Sequence, residues 1–311
     1  MEYTIYAKAL IEYIEKEIKG KGEEVKKAVI TLLAKGHLLI EDVPGVGKTT
    51  LAKTLAHSID CSFNRIQFTP DTLPTDIVGM SIYNMQTGKF EFCQGAIMSQ
   101  IVLADEINRT SPKTQASLLE AMEERQVTVD GKTYPLKAPF MVIATQNPID
   151  YLGTYHLPEA QLDRFFMKIS MGYPSEQAEQ EMVLYKMKQI SQKTLAPIMD
   201  AQTVIHMQQE VEQIEINEDL IQYIIQLVTT TRNHSALVLG ASPRATLALV
   251  KAAQAKAYIE NREYVIPDDI IQMVEPVLSH RLVLTSEAKM NKSTAEKVLR
   301  EIVGHTKVPI F

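Results

Sequence analysis

Cysteine is scarce in this sequence. The two in 311 residues, Cys61 and Cys93, lie too far apart for a C-x-x-C pair or any metal-type spacing. They read as reduced thiols, which predicts a cytosolic protein. The seven histidines form no H-E-x-x-H or other close ligand pair, so no zinc-type site can be argued from them. No run approaches the roughly 18 apolar residues of a membrane span. The amino terminus, Met1-Glu2-Tyr3-Thr4, lacks the basic start and apolar stretch of a signal peptide. The expectation is a soluble, cytoplasmic chain without repeats or low-complexity tracts.

Positive charge is in deficit as well. The 32 Lys+Arg against 38 Asp+Glu give a net charge of −6, a surface that repels nucleic acid on average while leaving room for a local basic patch. With 45% hydrophobic and 23% charged residues, the chain can bury a core and is no disordered segment. At about 150 residues per domain, its length suggests two domains.

What is present is an alternation. After an amphipathic helix carrying Ile5, Ala9, Leu10, Tyr13, Ile14 and Ile18, and a second helix over Glu23–Ala34, short apolar runs recur at His37–Ile40, Phe63–Phe68, Ile101–Ala104, Phe140–Ala144 and Phe165–Ile169. Apolar runs without polar alternation predict strands buried on both faces, as in a parallel sheet covered by helices. Ser81–Phe92 and Val127–Leu136 interrupt the rhythm as β-hairpins, the second with Asp130-Gly131 at its turn. Beyond Tyr173-Pro174 the pattern is helical throughout, with Asn217, Ser242-Pro243 and Pro267 as helix starts. The expected boundary lies near residue 173, giving a core over 1–173 and a helical domain over 174–311.

The chemistry is carried by Asp42-Val43-Pro44-Gly45-Val46-Gly47-Lys48-Thr49-Thr50, which follows the first strand and opens a helix. This is nearly the phosphate-binding pattern G-x-x-x-x-G-K-[ST], in which backbone N–H groups and a helix N-terminus cradle phosphate oxygens. Lys48 should reach the β- and γ-phosphates and the Thr49 hydroxyl should ligate magnesium. The departure is Asp42, where the pattern has its first glycine. The strand Ile101–Ala104 runs into Asp105-Glu106, an acidic pair that could hold magnesium (Asp105) and polarise an attacking water (Glu106). The next strand ends in Gln146-Asn147. That amide could hydrogen-bond the γ-phosphate or the lytic water, although by itself Asn147 reads better as a turn residue before Pro148.

With these residues in place the chain resembles the MoxR family of AAA+ ATPases over nearly its whole length. The resemblance rests on EDVPGVGKT at 41–49, LADEINRTSPKTQASLLEAMEE at 103–124, ATQNP at 144–148, LPEAQLDRF at 157–165 and GASPRA at 240–245. It implies an α/β core with a central parallel five-stranded sheet between helices, and a C-terminal all-helical lid. It also implies that Asn147 is sensor 1 and that Arg164 is the arginine finger entering a neighbouring subunit's ATP site. Arg244 becomes sensor 2, which lid rotation would swing onto the γ-phosphate. A structural ion pair is the plainer reading of either arginine. The two hairpins match the helix-2 insert and the pre-sensor-1 hairpin of one AAA+ branch.

The function implied is hydrolysis of Mg-ATP by a ring, expected to be a hexamer. That hydrolysis would drive chaperone-like assembly of partners, von Willebrand factor A domain proteins among them. Three other readings stay open: a DNA-translocating or helicase-like motor, a magnesium-chelatase-like subunit, and a scaffold that senses nucleotide without turnover.

Overall fold

The computed structural model describes residues 2–147, 155–189 and 196–309; Pro148 of the ATQNP run lies outside them. In chain order the elements are α1 (Thr4–Glu17), α2 (Gly22–Leu33), β1 (Leu38–Glu41), α3 (Lys48–Ser58), β2 (Phe63–Gln67), α4 (Pro74–Val78), β3 (Gly79–Asn84), β4 (Lys89–Gln94), β5 (Ile101–Asp105), α5 (Pro112–Glu124), β6 (Gln126–Val129), β7 (Lys132–Pro135), β8 (Met141–Gln146), α6 (Glu159–Leu162) and β9 (Met167–Ile169). There follow α7 (Glu176–Gln189), α8 (Ala201–Glu212), α9 (Glu218–Arg232), β10 (Leu237–Leu239), α10 (Pro243–Ile259), α11 (Pro267–Leu278), β11 (Val283–Leu284), α12 (Ser286–Met290) and α13 (Ala295–His305). No helix among the described residues is long and apolar enough to cross a membrane.

Five strands form one parallel sheet in the order β2-β5-β8-β1-β9. Side chains alternate across a strand, and the central strands divide their apolar residues accordingly. Leu38, Ile40, Ile101, Leu103, Met141 and Ile143 enter one core with α1, α2 and α3. Leu39, Val102, Ala104, Val142 and Ala144 enter a second core on the opposite face with α5. Neither face is left for water, which is why these strands carry uninterrupted apolar runs.

The first core continues into the C-terminal helices. There α10 packs against α2, α8, α9 and α11, and its fully buried Ala245, Ala252, Ala253 and Ala255 leave room for close approach. Helix starts are fixed by side-chain caps: Asn217 accepts from the Asp219 amide, and Ser242 from that of Ala245. β3 and β4 pair as one hairpin and β6 and β7 as another, with Asp130 and Gly131 both at positive φ in the turn. The hairpins touch through Phe92 stacked on Tyr134 at 4.0 Å.

His37, just ahead of β1, ties strand β8 to helix α5. Its Nδ1 accepts from the Val142 amide at 3.0 Å and its Nε2 lies 3.0 Å from the Met122 carbonyl. This arrangement fixes the neutral tautomer, because one nitrogen must accept while the other donates. Burial depresses its pKa to about 4. Between pH 6.5 and 4 the unfolded state therefore binds a proton that the folded state refuses. His37 contributes fully above pH 6.5 and progressively less below it. Denaturant unfolding of the wild type from pH 7 to 4 should lose about 3 kcal/mol more than that of His37→Gln, whose amide keeps both hydrogen bonds without titrating. Equal pH slopes would show that His37 is protonated in the fold.

Candidate functional site

The loop between β1 and α3 builds its shape from backbone angles. Gly45 has φ +89° and Gly47, the residue before α3, φ +94°. These are the conformations in which successive N–H groups form an anion-binding concavity. A Cβ at Gly45 would meet nothing within 4 Å and one at Gly47 only the Met171 methyl at 3.8 Å. The glycines are needed for angle, not for space.

Asp42 is 6% exposed and points away from that concavity. Its Oδ2 accepts from the Gly172 amide at 2.5 Å and the Ser170 hydroxyl at 3.2 Å, and its Oδ1 from the Val43 amide at 2.8 Å. The carboxylate ties the loop to the segment after β9, and its carbonyl accepts from Lys48 Nζ at 2.8 Å. Partial burial lowers the Lys48 pKa, opposed by Asp105, Asp42 and Glu106.

Pro44, Gly45, Gly47, Lys48, Thr49 and Thr50 line a cavity of about 360 Å³ together with Asp105, Glu106, Asn147, Arg65 and Gln67. Asp42, Val43 and Val46 are not among its lining. β8 lies between β1 and β5, so the amide of Asn147 falls between the lysine loop and the acidic pair. The sheet thus brings the expected residues from Pro44 to Thr50, the acidic pair and the amide to one carboxyl edge, where open α/β sheets bind ligands.

The acidic pair is held from three sides. Thr145, fully buried on β8, donates to Asp105 Oδ1 at 2.6 Å and accepts from the Glu106 amide at 2.8 Å. Arg65 on β2 donates to Asp105 Oδ2 from Nη2 at 2.5 Å and Nε at 3.2 Å. Glu106 is left-handed, at φ 57° and ψ 50°. Its Oε2 accepts from Gln67 at 3.0 Å and Arg109 at 2.7 Å. Strand β2 reaches the pair because Gln67 is in register with Asp105.

No group of three or more His, Cys, Asp or Glu able to hold a metal occurs among the described residues. The hard oxygen donors lining the cavity include the Thr49 and Thr50 hydroxyls and the Asp105 and Glu106 carboxylates. They suit magnesium, which keeps several waters and takes the rest of its shell from substrate phosphates.

Arg164 and Arg244 lie elsewhere. Arg164 Nε is 3.1 Å from Glu123 Oε2, and Arg244 Nη2 meets Glu123 Oε1. They share a cavity of about 280 Å³ with Lys35, Arg125, Lys251 and Arg281, six cations against the two carboxylates Glu123 and Asp163. His37, which precedes β1, and Phe166, which precedes β9, line it too, so this is the amino edge of the sheet. Strands of four to six residues, at roughly 3.3 Å each, place the two edges on the order of 13–20 Å apart. The structure brings Arg244 to Arg164 and does not bring it to the Lys48 cavity. Sequence reasoning missed Thr145, Arg65, Gln67 and Glu123. The one available signal was the polar alternation of Arg65 and Gln67 on a strand neighbouring the acidic pair.

Residues 37–167 match the sequence profile of the ATPase family associated with various cellular activities, AAA, and residues 229–302 match its lid domain. The uncharacterized protein YeaC of Bacillus subtilis is 51% identical over 300 residues, covering 96% of this chain and 94% of its own length. The Mycobacterium tuberculosis protein called Chaperone MoxR1 is 39% identical, covering 95% of this chain and 80% of its own. A crystal structure from Cytophaga hutchinsonii, of a protein proposed to be an ATPase, superposes with a TM-score of 0.91 at 38% identity, covering 99% of this chain and 98% of that one.

The loop anchor can be tested directly. Asp42→Ala leaves the Gly172 and Val43 amides without their acceptor, a loss of about 1–2 kcal/mol. Calorimetry should show weaker ATP binding together with a lower Tm, and Asp42→Asn should fall between. Wild-type affinity and Tm in Asp42→Ala would mean that the loop is held by other contacts.

Proposed function

This chain belongs to the MoxR family of AAA+ ATPases, and we propose that it hydrolyses Mg-ATP in a cytoplasmic ring, a hexamer in our reading, whose sites are each assembled from two copies. The observation that carries the reading is the placement of Arg164 and Arg244 together on the amino edge of the sheet, away from their own chain's Lys48 cavity. Residues 1–173 would act as the nucleotide-binding core and 174–311 as the lid.

In this reading the loop amides and Lys48 hold the β- and γ-phosphates. Thr49 and Asp105 would hold magnesium, which neutralises phosphate charge when bound. Glu106 accepts a proton from the attacking water. The water oxygen bonds to the γ-phosphorus as the bond to the bridging β,γ-oxygen breaks, and ADP leaves. Asn147 orients the water. Arg164 and Arg244 of the neighbouring copy place two permanently charged forks on the equatorial oxygens. The pairing of Glu106 with Gln67 and Arg109 keeps its carboxylate at the cavity before substrate arrives.

The biological role we infer is remodelling or assembly of partner proteins, with von Willebrand factor A domain proteins as candidates. The name of the 39% identical relative supports a chaperone role. So does the β3–β4 hairpin, which exposes Ile82, Tyr83, Met85 (91%) and Phe90 (70%) instead of a row of cations. An apolar, aromatic hairpin face suits polypeptide better than a phosphate backbone.

Glu106→Gln should bind ATP normally and slow turnover about 100-fold or more; unchanged turnover would mean another base. Mixing experiments separate the arginines. Lys48→Ala mixed with Arg164→Ala, and Lys48→Ala mixed with Arg244→Ala, should each regain ATPase activity, because one hybrid interface in each mixture is intact. Arg164→Ala mixed with Arg244→Ala should not, since every neighbour then lacks one arginine. Recovery in that last mixture would show that Arg244 serves its own chain's nucleotide.

A further inference from the structure

Arg281 follows α11 in the lid and is 4% exposed, yet it is tied to the core. Its Nη2 donates to the Phe165 carbonyl at 2.7 Å and lies 3.5 Å from that of Asp163, while its Nε sits 3.4 Å from Asp163 Oδ1. The adjacent His280 places Nε2 at 3.1 Å from the same Phe165 carbonyl. Asp163 and Phe165 are the two residues flanking Arg164. The Asp163 carboxylate in turn accepts from the Ser242 hydroxyl at 3.0–3.1 Å, and Ser242 caps the helix whose second residue is Arg244. Three stretches distant in sequence therefore meet at one carboxylate: the Arg164 loop, the start of α10 and the turn after α11.

Packing alone does not call for an arginine here. A buried guanidinium loses several kcal/mol of hydration, and a buried ion pair replaced outright by apolar residues of similar volume commonly loses no stability, although removing one partner alone does. The group is not saturated either, because its Nε and Nη1 have no hydrogen-bond partner. Burial lowers its pKa to about 10, with Asp163 opposing and Arg244 adding to the shift. It stays charged at neutral pH and repels the two arginines that it helps to place. What the guanidinium supplies and an apolar side chain cannot is direction, since its Nη2 alone reaches the carbonyls on both sides of Arg164 while its charge lies beside the carboxylate that holds Ser242.

We propose that Arg281 is a positioning residue that locks the lid to the Arg164 loop, so that Arg164 and Arg244 reach the neighbouring copy's γ-phosphate as one rigid pair. This rests on the two-copy site of the preceding reading. Lid and core then move together during turnover, and Glu123 holds the pair in register until phosphate displaces it.

The test is a double-mutant cycle on the full-length assembled protein, using Arg281→Met, Arg164→Ala and both together, with kcat, KM, ATP affinity and Tm all recorded. Arg281→Met should lower kcat about 10- to 100-fold with KM and ATP affinity within twofold of wild type, because the Lys48 cavity is untouched. Combined with Arg164→Ala it should cause no further loss. Arg281→Lys, which keeps the charge but not the reach and planar orientation of Nη2, should recover only part of the rate. In Arg281→Met the Tm should fall as well, because Asp163 loses its charged partner. A merely structural residue would instead lower ATP affinity along with kcat, and its effect would multiply with that of Arg164→Ala.

Wild-type kcat in Arg281→Met, or a multiplicative loss, overturns the proposal. If Arg281→Met does not fold, Ser242→Gly decides. Glycine is tolerated at helix N-caps, and loss of the hydroxyl to Asp163 should give the same loss of kcat at unchanged ATP affinity; wild-type kcat there overturns the proposal. An unimpaired Arg164→Ala removes the two-copy reading and this inference with it, whereas an impaired Arg164→Ala beside a normal Arg281→Met removes this inference alone.

Discussion

All five strands of the central sheet run the same way, and that polarity decides where everything else can sit. Each crossover must climb back along a helix, so the loops at the carboxyl edge begin helices and those at the amino edge end them. The loop between β1 and α3, Asp105-Glu106 and Asn147 all leave strands at the carboxyl edge and converge on one cavity. Arg164 enters β9 from the amino edge and meets Arg244 there on Glu123. A strand of four to six residues cannot be bypassed by a side chain, so the cation cluster is out of reach of its own chain's Lys48 cavity, and the proposed two-copy site rests on that separation.

Two kinds of ion pair matter most among the described residues. Arg65–Asp105, Arg109–Glu106 and Arg244–Glu123 involve half-exposed arginines. Where the carboxylate is exposed too, as in Arg109–Glu106 and Arg244–Glu123, such pairs are worth little, on the order of 0–1 kcal/mol. Arg262–Asp269 and Arg281–Asp163 each bury one partner almost completely. Breaking such a pair strands a charge out of water, which costs several kcal/mol. The first class keeps the reacting groups in place without binding them tightly. The second fixes the frame that carries them.

Much of this was legible in the sequence, for local reasons. Apolar runs located the five strands to within two residues, most cleanly for β1, β5 and β8, which are buried on both faces, whereas the edge strand β2 exposes Asn64, Arg65 and Gln67. Asp130-Gly131 located a hairpin, and Asn217, Ser242 and Pro267 located helix starts, because each acts on its own neighbours. The run at Phe165–Ile169 begins its strand later, at Met167. The Phe165 carbonyl is taken by His280 and Arg281, and its amide by the Leu162 carbonyl.

What stayed hidden depended on pairing at long range. The buried turn of Asp42 toward Gly172, the bridge of Thr145 between Asp105 and Glu106, and the reach of Arg65 and Gln67 from β2 all follow from strand register and sheet order. The meeting of Arg164 and Arg244 follows from how the lid docks on the core. No spacing in the chain encodes it.

The most direct test of the two-copy site is steady-state ATPase activity per subunit across a wide range of protein concentration, with oligomer mass followed in the same samples. A site completed by a neighbour's arginines predicts turnover that rises in step with the mass of the assembly and is nearly silent in dilute monomer. Turnover per subunit that stays constant while the protein dissociates to monomer would contradict the account.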